Sequence, residues 1–173
     1  WDFRVEGVTS ISADIHKLGY SPKGASVLVH ATPELRRYQT FVFDDWLGGF
    51  YGSPGMLGTK SVAPIAAAWA VMQFLGAEGY RRLVEITLAA VTRLVAGVRA
   101  IPGLTVLGEP DAHLVAISAT DPSELDVFKV METLRVEGWH LDRQGPPDSL
   151  HATISASTAP AIDAFLVDLA DAV

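Results

Sequence analysis

Apolar and polar positions alternate through residues 8–14, with β-branched side chains among them, which predicts a strand. Ser21-Pro22-Lys23-Gly24 is a turn signal, and the apolar run 25–30 reads as a second, buried strand. Pro33-Glu34-Leu35-Arg36-Arg37 predicts a short helical turn with Thr32 as its N-cap. Between 44 and 61 the periodicity disappears. Five glycines fall between 48 and 58, beside Trp46, Phe50 and Tyr51, which describes a loop whose backbone approaches something closely. Residues 63–75 are apolar on nearly every side and predict a buried helix, with Trp69 and Phe74 in a core. Gly76 interrupts it. Leu83, Ile86, Ala90, Leu94 and Val98 then recur at helical spacing through 79–100, and Pro102-Gly103 stops that helix.

The rest reads as a small α+β unit. Strands are expected at 104–107 and 114–118, then a helix over 124–136 capped by Ser123 and closed by Gly138. Strands at 139–141 and 151–155 flank Pro146-Pro147, and a last helix covers 159–172. This order predicts a sheet covered on one face by helices. The expected organisation is 1–75, a connecting helix over 76–103, and a small domain over 104–173.

Composition changes the picture in three ways. At 173 residues the chain suits one domain or one and a fraction. A hydrophobic content of 49% against 19% charged residues excludes disorder, and is apolar enough to expect burial against another chain or another part of the same one. A net charge of -7 argues against a nucleic-acid partner, and the absence of Cys excludes disulfides and thiolate chemistry. The apolar stretch 62–75 is too short to span a bilayer, and no basic-then-apolar leader is visible, so a soluble, cytoplasmic chain is expected.

Lys17 is the leading candidate for chemistry. It follows an apolar strand, stands next to His16, and lies among small residues that leave room for a ligand (Ser10, Ser12, Ala13, Gly19, Gly24). Most lysines at strand ends are simply solvated charges. One that projects from a strand end into a crevice, out of water, is a nucleophile toward carbonyls. His30, His113, His140 and His151 read as structural or surface residues, and no pair has metal-ligand spacing. Ser53 lacks a nucleophile-elbow context, and Asp44-Asp45 reads as a capping or solvated pair.

The run from Asp2 to Gly24, which contains Ser10-Ile11-Ser12-Ala13-Asp14-Ile15-His16-Lys17-Leu18-Gly19-Tyr20-Ser21-Pro22-Lys23-Gly24, closely resembles the cofactor segment of the sphingosine-1-phosphate lyases. These are grouped with the group II pyridoxal-phosphate-dependent decarboxylases of fold type I. The similarity continues through Asp45-Trp46-Leu47-Gly48-Gly49-Phe50-Tyr51-Gly52-Ser53-Pro54 and Gly58-Thr59-Lys60. It returns at Gly138-Trp139-His140-Leu141 and Pro147-Asp148-Ser149-Leu150-His151.

The resemblance implies an α/β fold, the C-terminal portion of a fold type I enzyme: the end of the large-domain sheet, a long connecting helix and a small α+β domain. It implies pyridoxal 5'-phosphate as cofactor, held covalently by Lys17. His16 would contact its phosphate or fix the lysine, and Tyr51, Ser53, Gly58 and Thr59 would reach the phosphate of a neighbouring subunit's cofactor. Lys23 would bind the phosphate of a phosphorylated amine substrate. The implied reaction cleaves a carbon–carbon bond of a phosphorylated long-chain base, giving a fatty aldehyde and phosphoethanolamine. A homodimer with shared sites and an upstream half of the same enzyme are the implied partners. An upstream Asp against the pyridine nitrogen is implied too, and neither Asp2 nor Asp14 matches it, so the chain alone is expected to be poorly active. Thr59-Lys60-Ser61-Val62-Ala63 departs from the usual Ser-Arg-Pro-Gly-Gly, and Lys60 lacks the fork of an Arg. The alternatives are an amino-acid decarboxylase with the same cofactor and a non-catalytic docking fragment.

Overall fold

In the computed structural model, which describes residues 2–173, the chain divides into two compact units between Ala77 and Glu78. Trp1, where the expected first domain opens, lies outside the described residues. In the first unit β1 (Ser10–Asp14) pairs antiparallel with β2 (Ser26–His30), in a register that sets Ser10 against His30 and Asp14 against Ser26. α1 (Pro33–Arg36) is capped by Thr32, whose Oγ1 accepts from the Leu35 N–H, and a 3₁₀ turn over Arg37–Gln39 follows. β3 (Phe41–Phe43) and β4 (Tyr51–Ser53) form a second antiparallel pair.

Two expectations for this unit fail. The 25–30 strand is not buried: Val27, Leu28 and Val29 are all exposed, because a two-stranded ribbon has no further layer of sheet to shield it. Nor does the 63–75 helix form a core. Ala68 is buried, but Trp69 is 62% and Phe74 88% exposed. An apolar run shows that burial is favourable without saying what supplies it.

The long helical segment α2 (Ala63–Ala100) contains the break expected at Gly76, whose φ of 59° and ψ of 179° are not helical. A side chain disfavours that positive φ, and glycine does not. The helix ends at Ala100, before Pro102.

The second unit holds the core. β5 (Leu104–Val106), β6 (Leu114–Ala119), β7 (Asp142–Gln144) and β8 (Ser149–Thr153) form one antiparallel sheet in the order β5-β6-β8-β7. The register explains its buried face. Leu104 opposes Ala119, Val106 opposes Ile117, Val115 opposes Ala152, and Ile117 also opposes Leu150. Directly opposed residues share a face and alternate residues along a strand return to it, so these seven side chains line one side. Against them pack Ala90, Val91, Leu94 and Val98 of α2. Val130, Met131 and Leu134 of α3 (Val127–Val136) and Ile162, Phe165 and Leu169 of α4 (Ile162–Asp171) join the same core.

Local chemistry moves three of the expected boundaries here. The Ser123 N–H and Oγ both donate to Asp121 Oδ1, closing a turn, so the cap of α3 passes to Asp126, which accepts from the Phe128 and Lys129 N–H groups. Residues 139–141 are not a strand. Gly138 turns with φ 94°, the Trp139 N–H bonds back to the Leu134 carbonyl, and the indole N–H donates to Asp168 Oδ2 at 2.6 Å. The strand therefore starts at Asp142. The last helix is preceded by a 3₁₀ turn over Ala159–Ala161.

The contrast between the units can be measured. Leu134 has no exposed surface, so Leu134→Ala is expected to lower stability by about 2–5 kcal/mol in urea unfolding. Phe74→Ala, in the same experiment, changes it by less than about 0.5 kcal/mol.

Candidate active site

Lys17 sits in the loop that joins β1 to β2, and the carbonyl of Ala25 fixes that loop. It accepts the N–H of Ile15 at 3.0 Å, the N–H of His16 at 3.3 Å and the ring Nδ1 of His16 at 2.8 Å. A carbonyl only accepts, so Nδ1 of His16 carries the hydrogen, and in the neutral ring Nε2 is the open acceptor. The Lys17 N–H bonds to the Asp14 carbonyl at 3.2 Å, the Tyr20 N–H to the Lys17 carbonyl at 3.0 Å and the Ser21 N–H to the Ile15 carbonyl at 3.3 Å. Tyr20 has a positive φ of 56° in this wound loop, and Gly24 lies so close to Pro64 that a Cβ there would come within 3.1 Å of the ring.

Asp14 is the centre of the charge arrangement. Its Oδ1 accepts from Ser26 Oγ, the residue opposite it in the ribbon, and its Oδ2 lies 2.9 Å from Lys17 Nζ and 3.9 Å from His16 Nε2. The Ser26 hydroxyl first, and the Lys17 ammonium second, hold the Asp14 carboxyl below the ordinary carboxylate range. Lys17 itself is 71% exposed, so the residues of this chain do not form the expected dry crevice around it.

The other expected residues stand on a separate hairpin. Ser53 is buried and its Oγ donates to the Gly55 carbonyl at 2.7 Å, which folds the loop back on itself. Gly58 lies beside the Tyr51 hydroxyl: a Cβ at Gly58 would be 3.3 Å from that oxygen. Lys60 Nζ is close to Gly55 in the same sense, at 3.6 Å. Thr59 and Lys23 are exposed. The structure thus brings His16 and Lys17 together with Asp14 and Ser26, and gathers Tyr51, Ser53 and Gly58 on the β3–β4 loop. A bridge joins the two strand pairs. Gln39 Oε1 accepts from His30 Nε2 at 3.0 Å, and Gln39 Nε2 donates to the Pro54 carbonyl at 2.8 Å. Asp14, Ser26 and Gln39 are members of this arrangement that no sequence motif marks. Asp14 was recoverable from its i,i+3 spacing to Lys17, whereas Ser26 required the register of the ribbon.

These groups fit an aldehyde-bearing, phosphorylated cofactor in kind. One exposed primary amine stands beside an imidazole of fixed orientation, and a glycine-rich loop carries hydroxyls and an ammonium suited to an anion. Among the described residues there is no cluster of His, Asp and Glu able to hold a metal ion.

No protein-family profile matches the chain. The sphingosine-1-phosphate lyase of Arabidopsis thaliana is 41% identical over 173 residues, which is 100% of this chain and 31% of that protein. A protein of Methanothrix thermoacetophila named as a probable L-tyrosine/L-aspartate decarboxylase is 35% identical over 173 residues, 99% of this chain and 43% of its own length. The solved sphingosine-1-phosphate lyase of Burkholderia pseudomallei K96243 superposes with a TM-score of 0.91 at 42% identity, over 99% of this chain and 38% of that one. Glutamate decarboxylase of Lactobacillus brevis has a TM-score of 0.82 at 20% identity, over 99% and 41%, a likeness of fold.

The chain therefore has the fold of the C-terminal portion of the fold type I pyridoxal-phosphate-dependent enzymes. Within that class it is similar along its whole length to sphingosine-1-phosphate lyases. It spans about a third of the length of the lyases it matches.

The Asp14 geometry fixes a sign. A carboxyl depressed on folding contributes stability above its unfolded value, and that contribution is lost as pH falls through the folded one. Ser26→Ala removes the largest cause of the depression. The Asp14 side-chain carboxyl, followed by carbon NMR, is expected to titrate at a higher pH in Ser26→Ala than in the unsubstituted chain.

Proposed function

We propose that the chain carries the cofactor lysine and the small domain of a pyridoxal-phosphate-dependent carbon–carbon lyase acting on a phosphorylated long-chain amine. The observation that carries this is Lys17: an exposed amine on a tightly bonded loop, in a segment aligned end to end with a lyase at 41% identity. When bound, pyridoxal phosphate supplies an electron sink that lets a bond to the substrate's amine-bearing carbon break. The products of the proposed cleavage are a fatty aldehyde and phosphoethanolamine.

Lys17 Nζ would hold the cofactor covalently and, when free, would hold or give up a proton at that atom. His16, its ring locked by the Ala25 carbonyl, steadies the cofactor phosphate or the lysine. Lys23 binds the substrate phosphate. Tyr51, Ser53, Gly58 and Thr59 belong to a loop that serves a second subunit's phosphate. A homodimer follows from that reading, and the uncovered aromatics Phe41, Phe43, Trp46 and Phe50 on this hairpin support it. Residues 76–103 act as the connector and 104–173 as the small domain. The second reading, an amino-acid decarboxylase, is favoured by the 35% identical relative. Supplying a phosphorylated long-chain base or an amino acid, and following aldehyde against carbon dioxide, separates the two.

The first test needs no turnover. The chain is incubated with pyridoxal phosphate, reduced with borohydride and mapped by peptide mass spectrometry. The adduct is expected on Lys17 in excess over Lys23, Lys60 and Lys129, and is lost from that peptide in Lys17→Arg. Labelling spread evenly over the lysines overturns the assignment.

A further inference from the structure

The lysine's counter-ion has no place in the function proposed above, yet its geometry is built from three separate constraints. Asp14 ends β1, and the ribbon register sets Ser26 across from it. The Ser26 hydroxyl occupies Oδ1. The turn closed by the Lys17 N–H on the Asp14 carbonyl folds the lysine back, so that Nζ reaches Oδ2 at 2.9 Å. Both carboxylate oxygens are allotted, one to a fixed hydroxyl and one to the mobile amine. His16 Nε2, 3.9 Å from Oδ2, is the other titratable group on this carboxylate. Exposed ion pairs are usually weak because two long side chains must be ordered to make them. Here Asp14 is already held by Ser26, so only the lysine has to be ordered.

We propose that Asp14, braced by Ser26, is a positioning residue: a clasp that receives the Lys17 ammonium whenever Nζ is not joined to the cofactor. The role rests on the reading of Lys17 as the cofactor lysine. An amine held against Asp14 Oδ2 is turned away from an incoming aldehyde, so the clasp slows loading. It also gives the amine, when a substrate displaces it, one defined resting place from which to return.

The test uses a small acylating reagent, an acetyl succinimidyl ester, at neutral pH with isotope-coded quantitation of each lysine. Lys23 and Lys60 in the same digest are the references. Relative to them, Lys17 is expected to acetylate about two- to fivefold faster in Asp14→Asn than in the unsubstituted chain, the range an exposed ion pair supports. Ser26→Ala, which keeps the charge and the strand, gives a smaller rise in the same direction. In the unsubstituted chain Lys17 also speeds up in about 1 M salt, where screening acts within about 3 Å, and Asp14→Asn abolishes that response. A general loosening of the loop would not remove a salt response at one lysine. A Lys17 rate that is the same with and without Asp14, or insensitive to salt in the unsubstituted chain, overturns the clasp. This readout is independent of the pyridoxal phosphate trap, so an Asp14-dependent Lys17 stands even where the trap fails, and an evenly spread trap removes only the cofactor reading.

Discussion

The carbonyl of Ala25 sets where the lysine can be. Three donors from two successive residues converge on it, and it is itself buried at the mouth of β2. Without that acceptor the Ile15 and His16 amides would have no fixed partner and the His16 ring would be free to turn. A buried acceptor taking several donors is a cheap way to hold a loop, because each bond removes a conformational freedom that has already been reduced by its neighbour. The ribbon register then places Ser26 against Asp14 and completes the charge arrangement.

The same hairpin depends little on a hydrophobic core. In the second unit, α2, α3 and α4 bury apolar side chains against one face of a four-stranded sheet. In the first unit the ribbons, the aromatic hairpin and the start of α2 leave large apolar groups exposed. Burying such a side chain fully is worth roughly 1.5–3 kcal/mol, so each of these groups is favourable to cover. The excess of apolar over charged residues is accordingly spread unevenly, with the uncovered share concentrated where the lysine and the glycine-rich loop lie.

How legible this was depended on whether a signal was local. Thr32 before Pro33, Gly76 inside a helical run and Pro102 after one each act through their own backbone, and each did in the structure what its residue type requires. The start of α3 was misplaced because Ser123 and Asp126 are equally good caps in isolation, and only the turn that Asp121 closes on Ser123 decides between them. The strand at 139–141 was misplaced because Trp139 bonds to Leu134 and Asp168, the second of which lies in another helix. Trp69 and Phe74 look like core residues in the sequence because periodicity reports an apolar surface and cannot report its partner. In the site, His16 and Lys17 were visible as a pair, while Ser26 entered only through strand register.

That difference bears on how the lysine works. A residue type and its neighbours indicate that an amine can react, but not which state it occupies between reactions. The state is set by groups brought in across the ribbon, here a hydroxyl that orients a carboxylate that in turn meets the ammonium. The carboxylate's own titration follows the same order of causes, with the hydroxyl ahead of the ammonium. Asp14 therefore has a partner on the ribbon that does not depend on the lysine. A counter-ion organised by the fold offers the amine a fixed place without demanding that the amine stay, which suits the covalent role proposed for Lys17.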